Sequence, residues 1–147
     1  MIWYTVLKAI HLLCAVAWVG GMLFALLVLR PSLGVLEAPQ RLLVHNQVFK
    51  RFFLIVWHAV PLILISGVAM VVFFMGGFAA VPPKIHAMFG LGVLMALIFC
   101  VIYFGPYKRF TRTTDRQVMA ASVDNIRKLI LTNLILGVVT IVVATVG

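Results

Sequence analysis

Four long apolar runs constrain this chain more than any other feature of its sequence. They lie at residues 2–29, 52–75, 85–105 and 129–146, and each is close to the ~20 residues that an α-helix needs to cross a bilayer core. Hydrophobic residues make up 65% of the 147 residues, more apolar surface than a soluble domain of this size can bury. We therefore predict an all-α fold, an integral membrane four-helix bundle that forms one transmembrane domain over residues 1–147 within the lipid bilayer.

The cations of the chain predict its orientation. Ten of the twelve lysines and arginines lie in the loops after the first and third spans or at the adjoining ends of the spans. The opposite side has only Lys8 and Lys84. The positive-inside rule then predicts that both termini lie on the non-cytoplasmic side of a plasma (bacterial inner) membrane, in a multi-pass protein. Since the cations are spaced as topology signals, the net charge of +9 does not predict a nucleic-acid partner.

Two lysine–histidine pairs break the apolar pattern. Lys8 and His11 lie in the first span and Lys84 and His86 at the start of the third, and the orientation brings both pairs to the outer leaflet. Ionisable residues in spans normally face a bundle interior or a polar cavity. Two imidazoles from facing helices can hold a metal or a haem iron, and lysines suit haem propionates but repel a bare cation. We therefore expect His11 and His86 to ligate haem b, with Lys8 and Lys84 on the propionates and Trp18 against the ring.

Soft donor atoms near the same pairs support a different ligand. Cys14 shares the face of His11, Met88 follows His86 by two residues, and Met70 and Met75 end the second span. Histidine, methionine and cysteine side chains are the ligands of Cu(I) sites. Copper is therefore the alternative cofactor, with Met88 and Cys14 as further candidate ligands.

The other two histidines form a second candidate pair on the basic side. His58 lies in the second span and His45 in the segment that precedes it, which we expect to be a short interfacial helix. They are secondary candidates for metal ligation or for a second haem.

Motifs for other kinds of catalysis are lacking. The three carboxylates of the chain lie in loops, and no nucleophile triad or phosphate-binding loop is recognisable. An enzymatic activity would therefore come from a bound cofactor and make the protein a haem-dependent membrane oxidoreductase, with a redox protein or a quinone as partner. A cofactor-free accessory membrane subunit is a further alternative, and a homo-oligomer is compatible with all three readings.

The first span resembles the pattern shared by the copper-resistance D (CopD) family and the HemJ-type protoporphyrinogen oxidases, in the segment LKAIHLLCAVAWVGGMLFALLVLRP. A basic run into the second span, KRFFLIV, and a lysine at the start of the third extend the resemblance. Likeness to the HemJ type implies haem b, electron transfer or tetrapyrrole oxidation, and roles for Lys8, His11, Trp18 and Lys84. Likeness to CopD, which the Gly-Gly and Arg-Pro pairs favour, implies copper uptake or homeostasis.

Overall fold

The computed structural model describes residues 1–146 and confirms four helices long and apolar enough to span a membrane. Their bounds are α1 (Ile2–Val35), α2 (Ala38–Phe74), α3 (Pro83–Arg112) and α4 (Arg116–Thr145). No strand occurs within the described residues. The all-α prediction is therefore correct, and the apolar surface of the four helices indicates a lipid environment.

The helices extend beyond the apolar runs at their basic ends. Helix α2 begins at Ala38 and includes the segment predicted as a short interfacial helix. A capping box formed by Glu37 and Gln40 starts it, because each side chain satisfies a backbone N–H of the first turn. Helix α4 starts in the same way, since the Asp115 carboxylate accepts a hydrogen bond from the backbone N–H of Gln117 at 2.9 Å. The first turns of α2 and α4 are thus each capped by a side chain.

Two helices contain a π-helical turn. One lies at Ala25–Leu29 in α1 and the other at Tyr103–Tyr107 in α3, and the second includes Pro106. Such turns are rare and are found preferentially at functional sites. Both lie in the half of the bundle that adjoins the basic loops.

The helices pack as two antiparallel hairpins. Helix α1 lies mainly against α2, and α3 mainly against α4. The two hairpins also meet where Gly137 of α4 faces α1, so closely that an added Cβ would lie 2.9 Å from a methyl of Val19. Small residues permit such close approach between membrane helices.

The buried core is concentrated in the basic half of the bundle. Its centre is an aromatic cluster in which Phe53 lies edge-on to Tyr107 and Phe99, with ring centroids 4.9 and 5.8 Å apart. The opposite half, which carries the termini and the Gly76–Gly77 turn, instead contains a cavity between the helices. The aromatic cluster therefore lies between this cavity and the basic loops.

Candidate metal site

A cavity of about 130 Å³ lies in the half of the bundle opposite the basic loops. One imidazole and four thioethers line it, among mostly apolar neighbours and without any charged side chain. They belong to His11, Met70, Met75, Met88 and Met95. Neutral nitrogen and sulfur donors in an uncharged pocket match the preference of Cu(I), a soft monovalent ion.

The His11 side chain is oriented by the main chain of a neighbouring helix. Its Nδ1 atom lies 2.9 Å from the backbone oxygen of Ile63 and 3.1 Å from the hydroxyl of Ser66. A carbonyl oxygen only accepts hydrogen bonds, so Nδ1 is the donor, and the neutral ring keeps the lone pair of its other nitrogen, Nε2. Backbone carbonyls fix metal-binding histidines in this way, which makes Nε2 of His11 a competent ligand.

The surroundings of His11 leave little freedom for the ring. Ser66 is buried and its hydroxyl donates to the oxygen of Ile63 at 3.1 Å, so it also fills the space beside Nδ1. A Cβ at Gly67 would lie only 3.1 Å from the Cε1 atom of His11. The glycine therefore provides the room in which the imidazole lies against α2.

The methionines come from two helices that face the imidazole. Met70 lies near the end of α2 and Met75 directly follows that helix, and Met88 and Met95 lie on α3. Met88 and Met95 are seven residues apart, which places them on one face of a helix. Met70 and Met95 are buried, so the deeper part of the cavity is shielded from solvent and lipid.

Trp18 was predicted to lie beside the cofactor, and it lines the same cavity. The indole is buried, with 3% of its surface exposed. Trp18 follows His11 by seven residues, so both lie on the same face of α1. Of the residues expected to hold the cofactor, the structure thus brings His11, Trp18 and Met88 together.

The other residues expected at this membrane face lie outside the cavity. His86 is exposed, with its ring 6.1 Å from that of Phe78. Lys84 donates a hydrogen bond from Nζ to the backbone oxygen of Val146 at 2.8 Å, which ties the start of α3 to the end of α4. Lys8 is exposed on α1. Neither lysine lines the cavity, so the geometry does not supply the cationic partners expected for haem propionates.

The remaining candidate ligands are also dispersed. His58 is exposed, and its Nδ1 donates to the backbone oxygen of Leu54 at 2.8 Å within its own helix. His45 stacks on Phe49 with a centroid distance of 5.4 Å. Cys14 is half-buried on α1 but does not line the cavity. Within residues 1–146, no three histidine, cysteine or acidic side chains gather as a metal-binding group.

The size of the cavity does not fit a tetrapyrrole. A cavity of roughly 150 Å³ holds one benzene ring, whereas a haem contains four pyrrole rings in one plane. The cavity here is about 130 Å³ and offers a single imidazole. The expectation of haem b is therefore not supported by the geometry, while a single metal ion fits.

Sequence reasoning missed Met95 and the positioning role of Ser66. Met95 could have been found from the seven-residue spacing to Met88, which predicts a shared helix face. The contact of Ser66 with His11 joins residues 55 positions apart, and no local pattern indicates such a contact.

Comparison with known families supports the interpretation of this cavity as a metal-binding site. Residues 46–146, well over half of the chain, match the family model described as copper resistance protein D. The match includes all the methionines of the cavity and begins after the helix that carries His11. No curated protein and no solved structure matched the chain.

Proposed function

The chain belongs to the copper resistance protein D family, and we propose that it binds Cu(I) as cargo in the methionine-lined cavity and serves copper uptake or homeostasis. It is a multi-pass protein of the plasma membrane with four spans. The proposal rests on the observation that His11 and four methionines line the same uncharged cavity. Copper here is the transported ion rather than a fixed prosthetic group.

The donor set favours Cu(I) over harder ions. Thioether sulfur binds soft Cu(I) well, whereas Zn²⁺, Mg²⁺ and Ca²⁺ prefer thiolate, imidazole or oxygen ligands. The desolvation cost of an ion rises with the square of its charge, so a monovalent ion enters an apolar cavity at a much lower cost than a divalent one. Among residues 1–146, no carboxylate side chain lines the cavity to offset a second charge.

The roles of the residues follow from their chemistry. His11 would donate the Nε2 lone pair, and its bond to Ile63 keeps that atom free of the proton. The methionines would supply neutral and adaptable ligands. Because none of these ligands carries a charge, binding requires no proton release from a thiol or a carboxyl group, and the ion can be exchanged between thioethers.

The shape of the bundle favours entry from one side. The cavity lies in the half that carries the termini, which the positive-inside rule predicts to face away from the cytoplasm. The aromatic cluster around Phe53 lies between the cavity and the basic loops. We therefore propose that Cu(I) enters from the outer side, with passage to the cytoplasmic side requiring the aromatic cluster to open.

Cu(I) titration of the purified protein against a chromophoric chelator tests this function. The wild type should bind Cu(I) with an absorption spectrum that lacks a Soret band, and His11→Ala should weaken binding by at least about tenfold, or about 1.4 kcal/mol. His86→Ala is the matched control, since this exposed imidazole does not line the cavity. A Soret band in the purified protein, or equal Cu(I) affinity in wild type and His11→Ala, would overturn the proposal.

A further inference from the structure

A second cavity, of about 670 Å³, opens at the basic end of the bundle between α2 and the last part of α3. The aromatic cluster lies between it and the methionine-lined cavity that we propose binds copper. The two cavities share no lining residue. A ligand bound in this second cavity would therefore contact none of the residues proposed to bind copper.

The α2 wall of this cavity changes from polar to apolar along the helix. Asn46 and Lys50 lie at the end nearer the basic loops, which we call the mouth, and Leu54 and Trp57 lie further along α2. Their spacing places them along one stripe of the helix. Lys50 and Trp57 are about 10 Å apart along the axis, at 1.5 Å per residue. The wall thus offers a charged group at one level and a hydrocarbon surface just below it.

The α3 wall is built by the π-helical turn. Tyr103 and Tyr107, the first and last residues of that turn, both line the cavity, with ring centroids 5.2 Å apart. The Nζ atom of Lys108 lies 4.8 Å from the Tyr103 ring centroid, but Lys108 does not itself line the cavity, so Lys50 is its one lining cation among the described residues. The hydroxyls of Thr111 and Thr113 are at the mouth.

The charge of the cavity is positive and uncompensated. No carboxylate side chain of the described part of the chain lines it. Within residues 1–146, the ion pairs join Asp124 to Arg127 and Lys128, and none includes Lys50 or Lys108. An unpaired ammonium beside hydroxyl and amide groups is a suitable partner for a phosphate group.

We propose that this cavity binds an anionic phospholipid, with its phosphate at Lys50 and its acyl chain along Leu54 and Trp57. The basic end lies at the level where phospholipid headgroups meet hydrocarbon, and cationic pockets between membrane helices at this level bind anionic lipid headgroups. A free phosphate ion would use the same cationic mouth but would leave the apolar wall uncovered. The proposal does not depend on the copper function.

Native mass spectrometry of the detergent-solubilised full chain tests the proposal with two lipids, phosphatidylglycerol and zwitterionic phosphatidylcholine. The wild type should retain phosphatidylglycerol preferentially, because the cationic mouth repels a choline group. Lys50→Gln should lower that retention by about tenfold, in line with the loss of one charge-assisted hydrogen bond. Arg51→Gln is the matched control, since this neighbouring exposed cation does not line the cavity.

Three results would overturn the proposal. One is unchanged phosphatidylglycerol retention in Lys50→Gln, and another is an equal loss in Arg51→Gln, which would show that only the general surface charge matters. The third is displacement of the lipid by inorganic phosphate at millimolar concentration, which would make the ligand a free anion. Cu(I) titration of the same variants separates this test from the copper proposal, because both should bind Cu(I) as the wild type does.

Discussion

The Nδ1 atom of His11 lies 2.9 Å from the backbone oxygen of Ile63, so the one imidazole of the cavity is hydrogen bonded to the main chain of the facing helix. Backbone atoms in the middle of a helix move little, and the ring therefore has a firm anchor across the α1–α2 contact. The orientation of the proposed metal ligand is thus a direct consequence of how α1 and α2 pack.

Ser66 supports the same ring, and removing its hydroxyl should weaken Cu(I) binding without unfolding the bundle. We expect Ser66→Ala to raise the Cu(I) dissociation constant by roughly tenfold, the lower end for loss of a hydrogen-bond partner of a metal-binding histidine, because the bond to Ile63 remains. The measurement is Cu(I) competition together with the melting temperature in detergent.

Ser122→Ala is the control for that substitution. Ser122 is also a buried serine, but its hydroxyl has no hydrogen-bond partner among the described residues and lies outside the cavity. Its removal should leave Cu(I) affinity unchanged. Equal affinities for the two variants would show that Ser66 has no part in positioning His11.

Met95 should contribute to Cu(I) binding through its sulfur rather than through its bulk. Met95→Leu keeps the side-chain volume, so the bundle should lose less than about 1.5 kcal/mol of stability, while Cu(I) affinity falls. Met22→Leu is the matched variant, because Met22 is as deeply buried but does not line the cavity. If both substitutions change Cu(I) affinity alike, the sulfur of Met95 is not a ligand.

Gly137 should be required for the contact between the two hairpins. A Cβ there would lie 2.9 Å from the short, stiff side chain of Val19 and 3.2 Å from the end of Met95. We expect Gly137→Ala to reduce the free energy of unfolding by about 1–3 kcal/mol, the usual cost of overpacking. Gly20→Ala, where an added Cβ meets nothing within 4 Å, should not destabilise. Thermal unfolding in detergent measures both, and equal melting temperatures would contradict the close approach.

Reporter fusions should reveal the orientation expected from the cations. A fusion in the turn at Ala79 should report the non-cytoplasmic side, and one at Thr113 the cytoplasmic side, because the basic loops stay in the cytoplasm. The reverse result would place the copper cavity in the cytoplasmic half, and would require copper to enter from inside.

The candidate site was only partly predictable, and the third helix shows why. His86 and Met88 are two residues apart and so point about 200° away from each other on a helix. Both had been considered as ligands, but one helix cannot turn both toward the same cavity. In the structure Met88 lines the cavity and His86 is exposed. The rotation of a helix about its axis is decided by packing against its neighbours, and hydropathy alone does not specify it in a helix that is apolar on all sides.

By itself, the sequence determined that the chain is all-helical and crosses the membrane four times, because backbone groups in hydrocarbon must be paired within each span and each span needs about 20 apolar residues. It also contained the soft donors. Only the tertiary structure decided which donors meet, since His11 approaches α2 and the four methionines through contacts between helices distant in sequence. The size of the cavity likewise depends on how closely the helices pack, which is a property of the assembled bundle.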